Sequence, residues 1–209
     1  MLLAFDTATS RVTVALHDGD RVVAAYDADE AMRHGEMLAP GIERVLAEAG
    51  ATVADLDGVA VGVGPGPFTG LRVGLVTARM LALTRGLAVH GVCTLDVIAA
   101  EAAREGGDEL TVVTDARRKE VYLASYGGGR RVWGPEVVRP EDARLHGRVV
   151  GRGGALYPDA FPGATGPEHP SAAVMAEVVQ GGEVELLPAE PLYLRRPDAA
   201  EPGRPKRVS

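Results

Sequence analysis

Two parts of the sequence carry residue types that could handle a phosphate group. Asp6 follows a short apolar run, Leu2–Phe5, and precedes Thr-Ala-Thr-Ser. The glycine-rich block Gly64–Gly74, which reads Gly-Pro-Gly-Pro-Phe-Thr-Gly-Leu-Arg-Val-Gly, joins a predicted strand to a predicted helix. The amides at a helix N-terminus attract anions, but this block lacks the Gly-Lys-Ser/Thr of a P-loop. The spacing therefore favours a tight strand-to-helix connection over an autonomous nucleotide site.

The sequence offers weaker candidates for metal ligands and for a catalytic nucleophile. His34 and Glu36 stand near a predicted helix start, but Leu38 occupies the i+4 position where a second imidazole would be needed to hold a metal on one helical face. The chain has no His-Glu-x-x-His sequence, and spacing alone identifies no Ser/His/Asp or Cys/His set. Cys93 is the single cysteine, which excludes an internal disulfide and a cysteine-based zinc cluster. We interpret it as a small core residue.

Composition limits the function classes further. The chain has 209 residues, 46% of them hydrophobic, so a substantial core is expected. The apolar runs are shorter than a membrane span, and Met1–Asp6 lacks the basic and apolar regions of a signal peptide. A cytoplasmic location without membrane contact is therefore predicted. A formal net charge of −7 argues against broad, autonomous nucleic-acid binding, because phosphate neutralisation supplies most of that affinity.

Two groups of cations stand out against this acidic background. One is Arg117-Arg118-Lys119 in a predicted turn, and the other is Arg204, Lys206 and Arg207 near the end of the chain. Either could touch a nucleic acid, but we interpret them as a solvated turn and a solubilising tail, because Glu120 adjoins the first group and the chain as a whole is acidic.

Hydrophobic periodicity predicts the elements that position these residues in the first half of the chain. Three strands form a meander around the turn Asp18-Gly19-Asp20, and strands and helices then alternate. The predicted elements are strands at Leu2–Phe5, Arg11–His17 and Arg21–Tyr26, a helix from Leu38 to Ala49, a strand at Asp57–Val63, a helix at Phe68–Arg85, a strand at Leu87–Val92, and a helix capped by Thr94 that runs to Arg104.

The chain breaks near Glu105-Gly106-Gly107-Asp108, and a second α/β lobe follows. Its predicted elements are strands at Leu110–Thr114, Glu120–Tyr126, Val132–Val138 and Arg148–Gly151, and a short helix between Pro170-Ser171 and Gly181-Gly182. We therefore predict an N-terminal, partner-binding lobe over residues 1–104 and a C-terminal lobe over 105–196. Residues 197–209 have no core-forming pattern and are predicted to be a disordered tail.

Three segments together resemble the TsaB (YeaZ) family, the dimerisation subunits of the bacterial complex that forms threonylcarbamoyladenosine in tRNA. They are Asp6-Thr7-Ala8-Thr9, the block Gly64–Gly74, and Asp115-Ala116-Arg117-Arg118-Lys119-Glu120-Val121-Tyr122. The closing Pro191–Arg195, Pro-Leu-Tyr-Leu-Arg, also resembles the family, so the likeness covers about residues 1–196. The glycine-rich block is the most specific segment, although Pro67 stands where the family commonly has Ser.

The resemblance implies a fold, a role and partners. The fold is the actin-like ATPase fold (ASKHA, ribonuclease H-like), with two lobes of mixed sheets flanked by helices. The role is a non-catalytic scaffold for a TsaD-like catalytic subunit, which with a TsaE-like ATPase transfers threonylcarbamoyl to adenosine 37 of tRNA. The chain alone would bind no cofactor, the assembled complex would use ATP and a metal, and tRNA would be met only through the complex.

The same resemblance leaves two enzymatic alternatives open. One is an active ATP-dependent kinase or acyl-phosphate enzyme of this fold. Ala8 argues against it, because active relatives usually have Gly there and a Cβ hinders close approach to phosphate. The other is a glycoprotease-like metallopeptidase, which would require bound zinc.

The helix at Phe68–Arg85 is the predicted partner surface, together with the helix at Leu38–Ala49. It is apolar nearly all round, with Arg72 and Arg79 as its only charges before the terminal arginine, so it must be buried on more than one side. The alternative is that the whole helix belongs to the core of this chain. The same surface could also join two copies of the chain in a homodimer. The candidate interface residues are Leu38, Ile42, Val45, Phe68, Leu71, Arg72, Leu75, Arg79 and Met80.

Overall fold

A five-stranded mixed sheet forms the centre of the first lobe. The computed structural model describes residues 1–29, 34–107 and 109–194, with the backbone alone at His34. The strands lie in the order β3-β2-β1-β4-β5; the meander β1–β3 is antiparallel, and β1, β4 and β5 are parallel. Their bounds are β1 (Leu2–Asp6), β2 (Val12–His17), β3 (Val22–Ala28), β4 (Gly58–Gly64) and β5 (Ala88–Cys93).

A four-stranded mixed sheet forms the second lobe, in the order β8-β7-β6-β9. The hairpins β6–β7 and β7–β8 are antiparallel, and β9 runs parallel to β6. The bounds are β6 (Glu109–Asp115), β7 (Val121–Gly127), β8 (Arg130–Val138) and β9 (Arg148–Val150). The two α/β lobes with mixed sheets that the sequence predicted are present.

Helices cover both faces of the first sheet, because its inner strands carry apolar side chains on both faces. The helices within the described residues are α1 (His34–Glu48), α2 (Phe68–Arg85), α3 (Thr94–Arg104), α4 (Arg152–Leu156) and α5 (Ala172–Gln180). Helices α1 and α2 pack on one face, and α3 and α5 on the other. Among these helices, none combines the length and apolar character that a bilayer crossing requires.

The chain returns to the first lobe at its end. Helix α5 packs on β1 and β2 through Ala172, Met175 and Ala176, all fully buried, although we had assigned residues 105–196 to one C-terminal lobe. Residues 187–194, here called the closing segment, then pair with the edge of β5, where Leu187 and Gly91 exchange backbone hydrogen bonds of 2.8 and 2.9 Å. The predicted tail 197–209 lies outside the described residues.

Two helix starts differ from the prediction. Helix α1 begins at His34, one turn before Leu38, and so holds Pro40 in its second turn. Proline lacks the N–H that would bond to the Glu36 carbonyl, but this face is exposed to water, which can hydrate that carbonyl. Thr94 does not cap α3, because its hydroxyl donates to Asp6 and the cap position is Cys93.

A buried polar network joins the two lobes. The Tyr126 hydroxyl on β7 donates to Asp96 Oδ1 on α3 at 2.7 Å, and Arg131 Nη1 lies 3.2 Å from the same oxygen. Arg131 also pairs with Glu185 at 2.8 Å. Burial raises the pKa of the Asp96 carboxyl, and the Tyr126 hydrogen bond and the Arg131 charge partly offset that rise. The network therefore depends on each donor staying in place.

Replacing Tyr126 with Phe should test how much this network stabilises the arrangement of the lobes. The variant leaves the buried Asp96 with one donor fewer, which should lower the free energy of unfolding by about 1–3 kcal/mol. Urea unfolding measures the change. Tyr157→Phe, at a half-buried tyrosine of the second lobe, is the matched control. Equal effects in the two variants would show that the Tyr126–Asp96 bond adds nothing.

Candidate functional site

Asp6 is sealed inside the first lobe, at the end of β1. Its side chain is fully buried, the amide of Ala8 donates to Oδ1 at 2.6 Å, and the hydroxyl of Thr94 donates to Oδ2 at 2.7 Å. Burial raises the pKa of the Asp6 carboxyl to about 6, although both hydrogen bonds oppose that rise. The carboxyl thus joins the β1 turn to the start of α3, and its oxygens are turned away from solvent.

Thr7 joins the same turn to α2. Its hydroxyl donates to the Gly70 carbonyl at 2.7 Å and accepts from the Gly74 amide at 3.1 Å. A Cβ on Gly74 would lie 2.6 Å from the Thr7 hydroxyl oxygen, so the helix can approach the turn only with glycine there. The sequence analysis did not identify Thr7; the i, i+4 glycine pair in α2 was the available signal.

Two more glycines make room for this turn. A Cβ on Gly62 of β4 would lie 2.0 Å from Asp6 Oδ2, and a Cβ on Gly66 would lie 2.1 Å from the Ala8 carbonyl oxygen. Gly62, Gly66 and Gly74 therefore accommodate backbone and side chains of the protein itself. This agrees with the interpretation of the block as a tight connection.

The residues present do not fit a nucleotide at this position. A phosphate held between the β1 turn and the Gly64–Pro67 loop would need space that Ala8, 1% exposed and against Gly66, already fills. A divalent cation bound to the phosphates would need a carboxylate facing the cleft, whereas Asp6 is enclosed. Among the described residues, the contact of Ala8 with Gly66 therefore leaves no space for a phosphate between those two residues.

The other chemical candidates are placed as follows. Leu38, at the position where a second imidazole would be needed, is 1% exposed and part of the core, and the side chain of His34 lies outside the described residues. No cluster of three or more His, Cys, Asp or Glu side chains that could hold a metal occurs among the described residues. Burial raises the pKa of the Cys93 thiol to about 12, which disfavours the thiolate a nucleophile needs.

The outward face of α2 carries an uncovered apolar stripe. Val76, Met80 and Leu83 are 58%, 55% and 81% exposed and lie on one side of the helix. Gly70 and Gly74 mark the opposite, inward side, since a helix turns 100° per residue. We call Val76, Met80 and Leu83 the α2 stripe. Val76 and Leu83 were not among the predicted interface residues, although their spacing from the two glycines could have identified them.

The nine predicted interface residues separate into two groups. Five are buried within this chain against the first sheet, so no partner can reach them, and their assignment to the interface is corrected: Leu38, Ile42, Val45, Leu71 and Leu75. Their places on the inward faces of α1 and α2 follow from packing on the sheet. The other four are exposed, and their role at an interface stays a prediction: Phe68, Arg72, Arg79 and Met80.

The closing segment borders the α2 stripe. The rings of Phe68 and Tyr193 stack with centroids 5.5 Å apart, and the Arg72 guanidinium lies 3.7 Å from the Phe68 centroid. Arg79 donates twice to the Ala189 carbonyl, at 2.6 and 3.1 Å. Arg72 and Arg79 are therefore held by the closing segment, and they flank the stripe on one side.

Comparisons with known proteins agree on one family. The family model described as "TsaD: tRNA N6-adenosine threonylcarbamoyltransferase" matches residues 28–147. The tRNA threonylcarbamoyladenosine biosynthesis protein TsaB of Escherichia coli is 31% identical, over 93% of this chain and 94% of that protein. An uncharacterized protein of Mycobacterium tuberculosis is 42% identical over 95% of this chain and 93% of its own length, whereas the chain spans only 56% of a Mycobacterium leprae relative.

Solved structures show the same likeness. The structure of YeaZ from Pseudomonas aeruginosa has a TM-score of 0.79 and 29% identity, over 92% of this chain and 99% of that one. A second Pseudomonas aeruginosa structure, described as similar to peptidase YEAZ, has a TM-score of 0.81 at 28% identity, over 93% and 99% of the two chains. The predicted actin-like ATPase fold and the predicted family are confirmed.

Asp6→Asn should change how stability depends on pH. The pKa of Asp6 is about 6 in the folded chain against an ordinary 3.8, so between these values the folded state binds the extra proton. Wild-type stability therefore falls as pH rises from about 4 to 6, by up to about 3 kcal/mol from this group. Asn keeps the shape without ionising: its Oδ1 accepts from the Ala8 amide, and its Nδ2 replaces the second acceptor and donates to the Thr94 hydroxyl oxygen. The variant should therefore gain stability relative to wild type as pH rises.

Urea unfolding at a series of pH values from 4 to 7 measures this difference. Asp20→Asn, on the exposed turn after β2, is the control and should follow the wild-type profile. Parallel profiles for wild type and Asp6→Asn would contradict the burial of an ionisable Asp6.

Proposed function

The chain belongs to the TsaB family of tRNA threonylcarbamoyladenosine biosynthesis proteins, and we propose that it acts there as a non-catalytic subunit that binds a TsaD-type catalytic subunit. The observation that carries this proposal is the α2 stripe, an apolar helix face without cover from the described residues. The assembly would include a TsaE-type ATPase, work in the cytoplasm, and bring the chain to tRNA only as part of the complex.

The α2 stripe is suited to helix–helix association. Val76, Met80 and Leu83 occupy i, i+4 and i+7 positions, the spacing that two packed helices share. Burial of apolar surface contributes about 25 cal/mol per Å², so covering three large side chains supplies a real driving force. Large exposed apolar side chains that cluster in this way mark interaction surfaces.

Charges beside the stripe favour a partner of similar construction. Helix α1, next to α2, exposes Glu43, while its Glu48 pairs with Arg44 at 2.7 Å; α2 exposes Arg72 and Arg79. A partner with the same two helices, related by a two-fold axis, could place Glu43 opposite one of these arginines. A TsaD-type subunit built on the same fold meets this description, and so does a second copy of this chain.

The proposal that the chain is not an enzyme rests on the closed β1 turn. Asp6 is enclosed, and the phosphate space is filled by Ala8, which weighs against the kinase or acyl-phosphate alternative. The metallopeptidase alternative would require a bound zinc ion, and we propose that this chain binds none. ATP and a metal would instead be handled by the other subunits of the complex, with none bound by this chain alone.

Met80→Asp should abolish partner binding without unfolding the chain. A carboxylate in the middle of an apolar interface must be desolvated without a partner, so affinity for a TsaD-type subunit should fall tenfold or more. Co-purification and tRNA modification in the reconstituted reaction are measured, with circular dichroism as the test of folding. Ala103→Asp, at an exposed position of α3 on the other side of the sheet, is the matched control.

Retention of both binding and activity by folded Met80→Asp and Val76→Asp variants would remove the α2 stripe from the interface. Loss of both in Ala103→Asp alone would move the interface to the opposite face of the first lobe.

The isolated chain should release no phosphate from ATP above background. The reason is the enclosed Asp6 and the missing space for phosphate. A phosphate-release assay and isothermal titration check this, with Asp6→Ala as the companion variant. Turnover by the wild type that disappears in Asp6→Ala would establish the kinase-type alternative.

A further inference from the structure

The tip of the β6–β7 hairpin has an unusual backbone. Arg117, Arg118 and Lys119 have φ angles of 61°, 56° and 61°, all in the left-handed region. At every other described position with positive φ the residue is glycine, as at Gly50 and Gly86. A left-handed conformation costs a side-chain-bearing residue energy that glycine avoids. Three consecutive long cations at this tip therefore oppose backbone preference, which points to a use for the side chains themselves.

The hairpin tip is held in one shape. The Ala116 amide donates to the Glu120 carbonyl at 3.0 Å, and the Arg117 amide donates to Asp115 Oδ1 at 2.7 Å. The Arg117 guanidinium also pairs with Asp115, at 3.2 Å. Arg117 is thus partly neutralised, while the tip holds the exposed Lys119 on a fixed backbone.

A wide groove of about 880 Å³ lies beside the tip. The hairpin supplies Arg118 and Lys119 to its wall, and Arg139, which follows β8, supplies a third cation. Glu141 and Asp159 also line it, with Tyr157 at its side. Lys119 and Arg139 are both exposed and form no ion pair with any residue in the described ranges. The groove therefore presents Lys119 and Arg139 as two cations without a direct ion pair, beside the carboxylates of Glu141 and Asp159.

We infer that this groove, through its two exposed cations Lys119 and Arg139, binds the phosphodiester backbone of RNA. The inference rests on the proposed function, in which the substrate of the complex is a tRNA. An open groove with long, exposed cations suits a backbone that passes over a surface, since Arg and Lys contacts to phosphate position a nucleic acid without reading its sequence.

The inference changes one interpretation from the sequence. Arg117-Arg118-Lys119 was interpreted as a solvated turn, partly because Glu120 follows it. The sequence could not show that Arg139 lies beside the turn, which results from the pairing of Val121 with Val138 between β7 and β8.

The main test is the double variant Lys119→Glu/Arg139→Glu, assayed as the complex of the full chain with a TsaD-type subunit. Fluorescence anisotropy with a labelled tRNA transcript measures affinity over a range of salt concentrations. Loss of two phosphate contacts should weaken binding about tenfold or more near 0.15 M salt. It should also flatten the slope of log K against log salt by about one unit per contact.

The matched control is Arg21→Glu/Arg130→Glu, which changes the net charge equally. Arg21 lies on the turn before β3, and Arg130 lies at the far end of β7 and β8 from the tip; both are exposed. This variant should keep wild-type affinity and slope. Equal losses in the two double variants, or unchanged affinity and slope in the groove variant, would overturn the inference.

Lys119→Gly guards against a folding artefact. Glycine removes one cation and relieves the left-handed backbone, so thermal stability should not fall while tRNA affinity falls severalfold. Lower stability together with unchanged tRNA affinity would count against the inference.

Complex formation, followed by size-exclusion chromatography, separates this inference from the proposed function. If the groove variant no longer forms the complex, the groove is a protein interface and the inference is wrong. If the wild-type chain forms no complex with the TsaD-type subunit, the proposed function fails, and the inference is then tested with the isolated chain at low salt. Binding of tRNA that the groove variant loses would support the inference. No binding of tRNA by the isolated chain would overturn it.

Discussion

The arrangement of the first lobe depends on the close packing of one turn, Asp6–Ala8. Each of its three residues meets a different element: Asp6 reaches Thr94 at the start of α3, Thr7 enters α2 between two glycine positions, and Ala8 contacts the loop before α2. A single Cβ at Gly62, Gly66 or Gly74 would collide with this turn. Since interiors are packed to crystal-like density, such a collision displaces whole elements.

The same packing bears on which surfaces of the fold are open to other molecules. The end of β1 and the loop before α2 are where a phosphate site could form, and here protein atoms fill that space. The glycine-rich block serves instead to hold α2 against the sheet through its inward face. Because that face is fully used, the opposite face, with Val76, Met80 and Leu83, is free for another molecule. A tightly closed turn and an exposed helix face are thus consequences of the same contacts.

The sequence predicted the positions of helices and strands better than it predicted which face of each helix is buried. The bounds of α2 matched because Gly86 adopts a left-handed C-cap and the Pro67 position precedes the first turn. Which side of α2 faces outward depends on the contact with Thr7, about seventy residues away in the chain, and a helix that is apolar all round gives no periodic signal for it. The packing of α5 on the first sheet likewise depends on tertiary contacts. The residues of α5 predict a buried helix, but they do not show which of the two sheets buries it. The Asp6–Thr94 bond, also long-range, removed the cap that local pattern had assigned to Thr94.

The closing segment links the two surfaces discussed for this chain. Leu187 extends the β5 edge, the Leu192 amide donates to the Val63 carbonyl at 2.8 Å at the end of β4, and Tyr193 stacks on Phe68 at the start of α2. Leu187 and Leu192 also contact the apolar cluster that joins α3 to the second sheet. The segment therefore connects α2 with the second lobe, and the Asp96–Tyr126–Arg131 network adds a second connection at the start of α3. Because the closing segment and this network both connect the lobes, a partner bound on α2 and an RNA strand along the β6–β7 hairpin would contact parts of the chain that are joined in two places.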